Sequence, residues 1–396
     1  METPRRGSSR RAYLAALASA GVAGLAGCAG GGRDGDDGGA ATSRPAPAGS
    51  TTDTSGGPAS REEQVVQRDD VELPVDRTEL NRGASKDGIP AITDPAFAAD
   101  WSDVDAPLPD DRDVIGVVRD GQARAYPLAV LDWHEIVNDE FGGPLLVTYC
   151  PLCGSAMTAE RRVAGEVTTF GVSGLLWNSD LVMYDAATES YWSQILATAI
   201  RGERTGEQLT LVPSTTTTWA EWRGEHPDTE VLVPPPASET ITGAPPAPYD
   251  GEAYPNYDES TRIGIGYNEF EDDRLHPKAE VLGIETDDAA RAYPLERVLS
   301  AGVINDTVGD LPVVVTTTAA DSLVSYVRRV DGETVAFAAA DAETLSAVDS
   351  RWRRLDGAAV DGPQEGTTLA RANTRSPMFW FAWLDFNAET TVYGER

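Results

Sequence analysis

Val114-Ile115-Gly116, followed by Ala123-Arg124-Ala125-Tyr126-Pro127-Leu128, returns later in the chain as Val281-Leu282-Gly283, followed by Ala290-Arg291-Ala292-Tyr293-Pro294-Leu295. The match continues in register. Val137-Asn138-Asp139 meets Ile304-Asn305-Asp306, Arg161-Arg162-Val163 meets Arg328-Arg329-Val330, and Phe170 meets Phe337. After a small shift, Trp219 and Trp222 meet Trp380 and Trp383, while Thr229 and Val231 meet Thr390 and Val392. Two related units are therefore expected, over about 113–233 and 280–395, joined by a Pro-, Gly- and Tyr-rich segment containing Pro234-Pro235-Pro236. Each unit is far longer than a solenoid repeat. The expectation is a duplicated domain packed about a pseudo-two-fold.

Inside each unit the patterning is mostly that of strands. Val114–Val118 and Ala123–Ala125 flank Asp120-Gly121, a hairpin signal. Leu128–Val137 carries helical spacing, Leu145–Cys150 is a continuous apolar run, and Trp219–Glu225 reads as a short helix before His226-Pro227. The fold class expected is α+β, mainly antiparallel β, as two duplicated β-rich units. Neither a βαβ alternation nor a Gly-rich phosphate loop is present, which argues against a nucleotide-binding α/β fold.

Outside the repeat, the first residues read as an address. Ser9-Arg10-Arg11-Ala12-Tyr13-Leu14 resembles a twin-arginine export signal, and the apolar run from Ala12 to Ala26 ends in Leu25-Ala26-Gly27-Cys28, which resembles a lipobox. That run is too short to cross a bilayer core of about 30 Å comfortably. The domain plan expected is a signal over 1–28 and a flexible linker and lead-in over 29–72. A first unit over 73–233, a connector over 234–279 and a second unit over 280–396 follow. The lipobox implies a lipid on Cys28 that anchors the protein at the extracytoplasmic face of the cell membrane.

The chain of 396 residues carries 64 Asp+Glu against 32 Lys+Arg, a formal charge of −32. Nucleic-acid binding needs a basic footprint, so no nucleic-acid partner is expected. Only Lys86 and Lys278 are lysines. Many acids with so little lysine suggest adaptation to concentrated salt, where a Debye length of about 3 Å screens like charges.

Two further stretches carry the chemistry. Tyr149-Cys150-Pro151-Leu152-Cys153-Gly154 is followed by Phe170-Gly171-Val172-Ser173-Gly174-Leu175-Leu176-Trp177-Asn178-Ser179-Asp180-Leu181-Val182-Met183-Tyr184-Asp185 and Tyr191-Trp192-Ser193-Gln194. With Lys86-Asp87-Gly88-Ile89-Pro90 and Phe379-Trp380-Phe381-Ala382-Trp383 at the two ends, these motifs resemble the domain-of-unknown-function family numbered 3179, over about 73–395. The resemblance implies an exported protein and redox chemistry at the position of Cys150 or Cys153.

On the residues themselves, Cys150 and Cys153 are the only thiols besides Cys28. Two cysteines separated by two residues can close a small disulfide or form half of a metal knuckle. The sequence after Gly154 reads as a strand, which disfavours a thioredoxin-like site and favours a strand–turn knuckle. A tetrahedral zinc or copper site needs further ligands. Of the three histidines, His134 is the best placed, on the helix leading into the cysteine-bearing strand. The second unit has Ala301 at the His134 position and Thr317 and Thr318 at the cysteine positions. His226 reads as a helix cap and His276 as solvent-facing. Met157 and Met183 are potential thioether ligands but fit core packing better. Asn178, Asp180, Asp185 and Gln194 are candidates to line a substrate pocket beside the thiols, with turn chemistry as the other reading. No Ser-His-Asp set supports a hydrolase. The expected function is thiol redox or metal handling by a lipoprotein, with Cys150, Cys153 and His134 as redox residues or as ligands to zinc or copper. The rival is a non-catalytic binding or assembly module whose cysteines staple a turn.

Overall fold

The structure is a computed structural model that describes residues 66–68, 71–102, 107–243, 248–249, 251, 253–265 and 270–395. The signal, Cys28 and the linker as far as residue 65 lie outside the described residues.

Local chemistry sets the strand pairs. Asp120 and Gly121 take φ of 51° and 76°, a two-residue turn with both residues left-handed, between Asp113–Arg119 and Gln122–Pro127. Asn178 and Ser179, at 49° and 66°, do the same between Phe170–Trp177 and Asp180–Asp185. Such turns match the right-handed twist of the flanking strands. The helix expected over 128–137 is shorter, Leu128–His134, because Glu135 turns left-handed at φ 56° and feeds the strand Ile136–Glu140. The helix Trp219–Glu225 is capped by Thr218, whose side chain accepts from the Glu221 N–H.

These pairs assemble into six larger sheets. The first three centre on the hairpins Asp113–Arg119 with Gln122–Pro127, Ile136–Glu140 with Pro144–Cys150, and Phe170–Trp177 with Asp180–Asp185. The next three centre on Glu280–Thr286 with Ala289–Pro294, Val303–Val308 with Leu311–Thr317, and Thr344–Ala347 with Ser350–Arg353. The expectation of an α+β fold made of two duplicated units is corrected here. Among the described residues strands hold 43% and helices 10%, and the sheets form a six-bladed β-propeller. The physical reason is that no single hairpin sheet buries both of its faces. Radial repetition of small sheets does so with short, protected edges. Outer strands also come from far away in sequence. Ala96–Ala98 pairs antiparallel with Glu230–Val233, which runs parallel to Gln122–Pro127.

The internal repeat is only weakly consistent with such blades, through paired local contacts. Gly116 lies under Trp222 and Gly283 under Trp383, and a Cβ at either glycine would fall 2.3 Å or 2.2 Å from the indole. Trp222 Nε1 donates to Thr229 and Trp383 Nε1 donates to Thr390. Tyr126 and Arg124 meet Asp139 as Tyr293 and Arg291 meet Asp306. Asn138 bridges to Phe170 as Asn305 bridges to Phe337. Among the described residues no helix is long and apolar enough to cross a membrane.

Candidate functional site

Cys150 ends the strand Pro144–Cys150, and Ser155 opposite it opens Ser155–Glu160. Between them Pro151–Gly154 form a tight turn, in which the Cys153 N–H donates to the Cys150 carbonyl at 3.1 Å and Gly154 takes φ of 64°. This is the strand–turn knuckle expected from the motif. Both thiols are free and buried, at 1% and 0% exposure, inside the apolar cluster that also holds Trp192, Trp380 and Phe381. Both sulfurs approach the Ser179 carbonyl, Cys153 at 3.2 Å and Cys150 at 3.7 Å. Ser179 belongs to the left-handed turn of the neighbouring blade, so that turn presents its carbonyl to the thiols.

The next residue completes the cluster. The two sulfurs and a carboxylate oxygen of Asp180 lie within 4.8 Å of one another, and all three residues are buried. Asp180 is fixed by Ser193 Oγ at 2.5 Å and by the Ile195 N–H at 3.3 Å. Burial pushes its carboxyl up to about 7, against those hydrogen bonds, that of the Gln194 N–H and the attraction of Arg375. Burial also pushes Cys153 well above the usual thiol range, and the adjacent Cys150 and Asp180 add to this. Glu135 joins the same field. Burial, then the charges of Asp132 and Asp180, raise it to about 8. Among the described residues no ion pair reaches Asp180 or Glu135. The site is thus a set of desolvated acids, of which Cys153 and Glu135 favour the protonated form at neutral pH while Asp180 titrates close to it.

The connector covers this site. Tyr257 donates to the Leu152 carbonyl at 3.0 Å and accepts from the Gly264 N–H at 2.8 Å. Lys278 pins the same segment by donating to the carbonyls of Tyr257, Ser260 and Arg262 at 2.9, 2.7 and 2.5 Å. Gly264 is needed here, because a Cβ would lie 2.2 Å from Ser179 Oγ and φ is 59°.

His134 is placed differently from the expectation. Its Nδ1 meets the Pro90 carbonyl at 2.7 Å and its Nε2 meets the Tyr249 hydroxyl at 2.8 Å, so both nitrogens are committed away from the thiol cluster. Asp180 stands as the third group in its place. Of the pocket candidates, Asn178 is an exposed turn residue. Asp185 accepts from the Thr188 N–H and hydroxyl, both at 2.7 Å, and from Trp192 Nε1 at 3.0 Å, which is turn chemistry. Gln194 is satisfied by Ser155 and Thr148 and braces the cysteine hairpin. His226 caps its helix and packs on Trp222 at 4.3 Å. His276 is exposed and Met183 is core. Glu135, Ser179 and Tyr257 were not singled out from the sequence. Only the position of Glu135 next to His134 could have drawn attention to it.

No curated protein and no solved structure matches the chain. The family described as "Protein of unknown function (DUF3179)" matches residues 86–390, which carry the cysteine hairpin, the Asn178-Ser179 turn and the connector, and the chain belongs to that family.

Proposed function

We propose that the Cys150–Cys153–Asp180 cluster binds one soft transition-metal ion, zinc or cuprous copper, in an extracytoplasmic protein anchored by lipid at Cys28. The observation that carries this reading is the buried convergence of two free thiols and a carboxyl within 4.8 Å. In a tetrahedral zinc site with ligands at about 2.0–2.3 Å, donor atoms stand about 3.5–4 Å apart, so a small inward movement suffices. Thiolates select zinc and copper over hard cations. A cation would also supply the countercharge that the raised acids lack, displacing their protons as it binds. Three protein donors leave one position for an exogenous ligand, as at zinc centres that handle substrate.

The test is elemental analysis of the purified full chain after loading with zinc or with cuprous copper under reducing conditions. One ion per chain is expected, lost in Cys150→Ser, Cys153→Ser and Asp180→Asn. Equal metal content in all three variants would refute the reading. A second reading, dithiol–disulfide exchange, is favoured by the closeness of the two sulfurs, within 4.8 Å of each other across a single turn. It predicts a reversible intramolecular disulfide in redox buffers that Asp180→Asn leaves intact.

A further inference from the structure

A cavity of about 200 Å³ lies where end strands of four blades meet: Ser155–Glu160, Thr215–Thr218, Leu323–Val327 and Met378–Phe379. None of its lining residues is acidic, and two are arginines, Arg371 and Arg375. In a chain with twice as many acids as bases this is a marked local reversal of sign. Hydroxyl and amide groups of Thr158, Ser214, Asn373 and Ser376 fill much of the remaining polar wall.

Arg375 is the decisive residue. Its side chain is 10% exposed, and its Nη2 pairs with Glu285 at 3.1 Å. Its Nη1 is buried and has no hydrogen-bond partner. An orphaned guanidinium N–H is costly, about 1–3 kcal/mol or more for a charged group, unless a ligand or water completes it. Arg371 is held at the same wall. Its Nη2 donates to Thr215 Oγ1 at 2.5 Å and to the Leu355 carbonyl at 2.8 Å, with its guanidinium 4.9 Å from the Tyr326 ring. Two fixed guanidinium groups over hydroxyls, with no carboxylate among the lining residues and only Glu285 paired to one of the guanidinium groups, form an oxyanion receptor.

We propose that this cavity binds one small oxyanion of the carboxylate or phosphate type, held by the Arg375 guanidinium and steadied by Arg371. A cavity of about 200 Å³ suits a small oxyanion together with a few waters. The cavity adjoins the thiol site. Ser155 and Ile195 line it, and these residues also touch Gln194 and Asp180. The proposal does not depend on the soft-metal reading, because every residue it uses lies outside the thiol cluster.

The test is isothermal calorimetry on the metal-free full chain, dialysed free of chelator, with ionic strength held constant by sodium chloride. Inorganic phosphate, sulfate, acetate and succinate are titrated separately, and their order of affinity assigns the carboxylate or phosphate class. Saturable one-to-one binding of at least one probe is expected, weakened roughly ten- to hundredfold in Arg375→Gln, as for loss of a charged hydrogen bond. Arg371→Gln gives a second, independent loss if Arg375→Gln does not fold, as judged by circular dichroism. Absence of saturable binding of all four probes to the wild type overturns the proposal, as does unchanged affinity in either folded variant.

Discussion

Asp180→Asn removes the one carboxyl that stands beside both thiols, and its effect on stability is a slope rather than an offset. In the folded protein Asp180 titrates near 7 against an ordinary value of 3.8, because burial disfavours the charged form. A group whose folded value is raised holds a proton that the unfolded chain has released. Stability therefore falls as pH rises from the unfolded value, until the folded group itself titrates. Each pH unit in that window costs about 1.4 kcal/mol. Between about pH 5 and about pH 8 the metal-free wild type should lose roughly 2–3 kcal/mol through Asp180 that Asp180→Asn does not lose. The variant also forfeits carboxylate acceptance from Ser193 and the Ile195 N–H, an offset of about 1–2 kcal/mol that does not vary with pH. Urea unfolding of both proteins across that range, at fixed high salt, measures the two terms separately. The expected result is curves that converge or cross toward alkaline pH. Parallel curves would show that Asp180 is already charged in the folded protein and would refute the electrostatic picture of the site.

Three further outcomes are expected. His134→Ala should cost about 1–2 kcal/mol by removing the imidazole from the Pro90 carbonyl and the Tyr249 hydroxyl, yet leave metal content unchanged; loss of metal would return His134 to the site. Gly116→Ala should destabilise by about 1–3 kcal/mol or more in thermal unfolding, because its Cβ would meet the Trp222 ring at 2.3 Å; a neutral effect would mean that this indole is free to move. Cys28→Ala should release the protein from membranes on fractionation, whereas unchanged membrane association would count against the lipid anchor.

The hairpins were legible because their signals are local. Asp120-Gly121 and the cysteine turn contain the residues that make them, and alternation marks the flanking strands. The repeated motifs were legible as matching residues in register, and Gly116 with Trp222 and Gly283 with Trp383 are the same steric fit written twice. What could not be read was how hairpins share faces. Blade membership is settled by pairings such as Ala96–Ala98 with Glu230–Val233, which join residues far apart in the chain without a local motif. A duplicated sequence is compatible with two packed bodies or with blades around one axis, and only the lateral pairing separates them. The site divides in the same way. Cys150 and Cys153 identify themselves by spacing, but their third partner is chosen by geometry across a blade boundary. His134 is nearer in sequence and chemically apt, yet its ring is spent on Pro90 and Tyr249. Asp180 carries no metal motif and arrives beside the thiols because the left-handed turn at Asn178-Ser179 reverses the strand there.

The most direct test of the metal site is cobalt substitution, read by optical absorption. Titration of the reduced full chain with Co²⁺ should produce a near-ultraviolet thiolate-to-metal band and visible bands of a four-coordinate ion, saturating at one equivalent. Proton release should accompany binding, because the donors must deprotonate. Both bands should vanish in Cys150→Ser and Cys153→Ser, and the visible envelope should change in Asp180→Asn. A spectrum of hydrated, six-coordinate Co²⁺ in the wild type, with no thiolate band at any equivalence, would contradict the metal site outright.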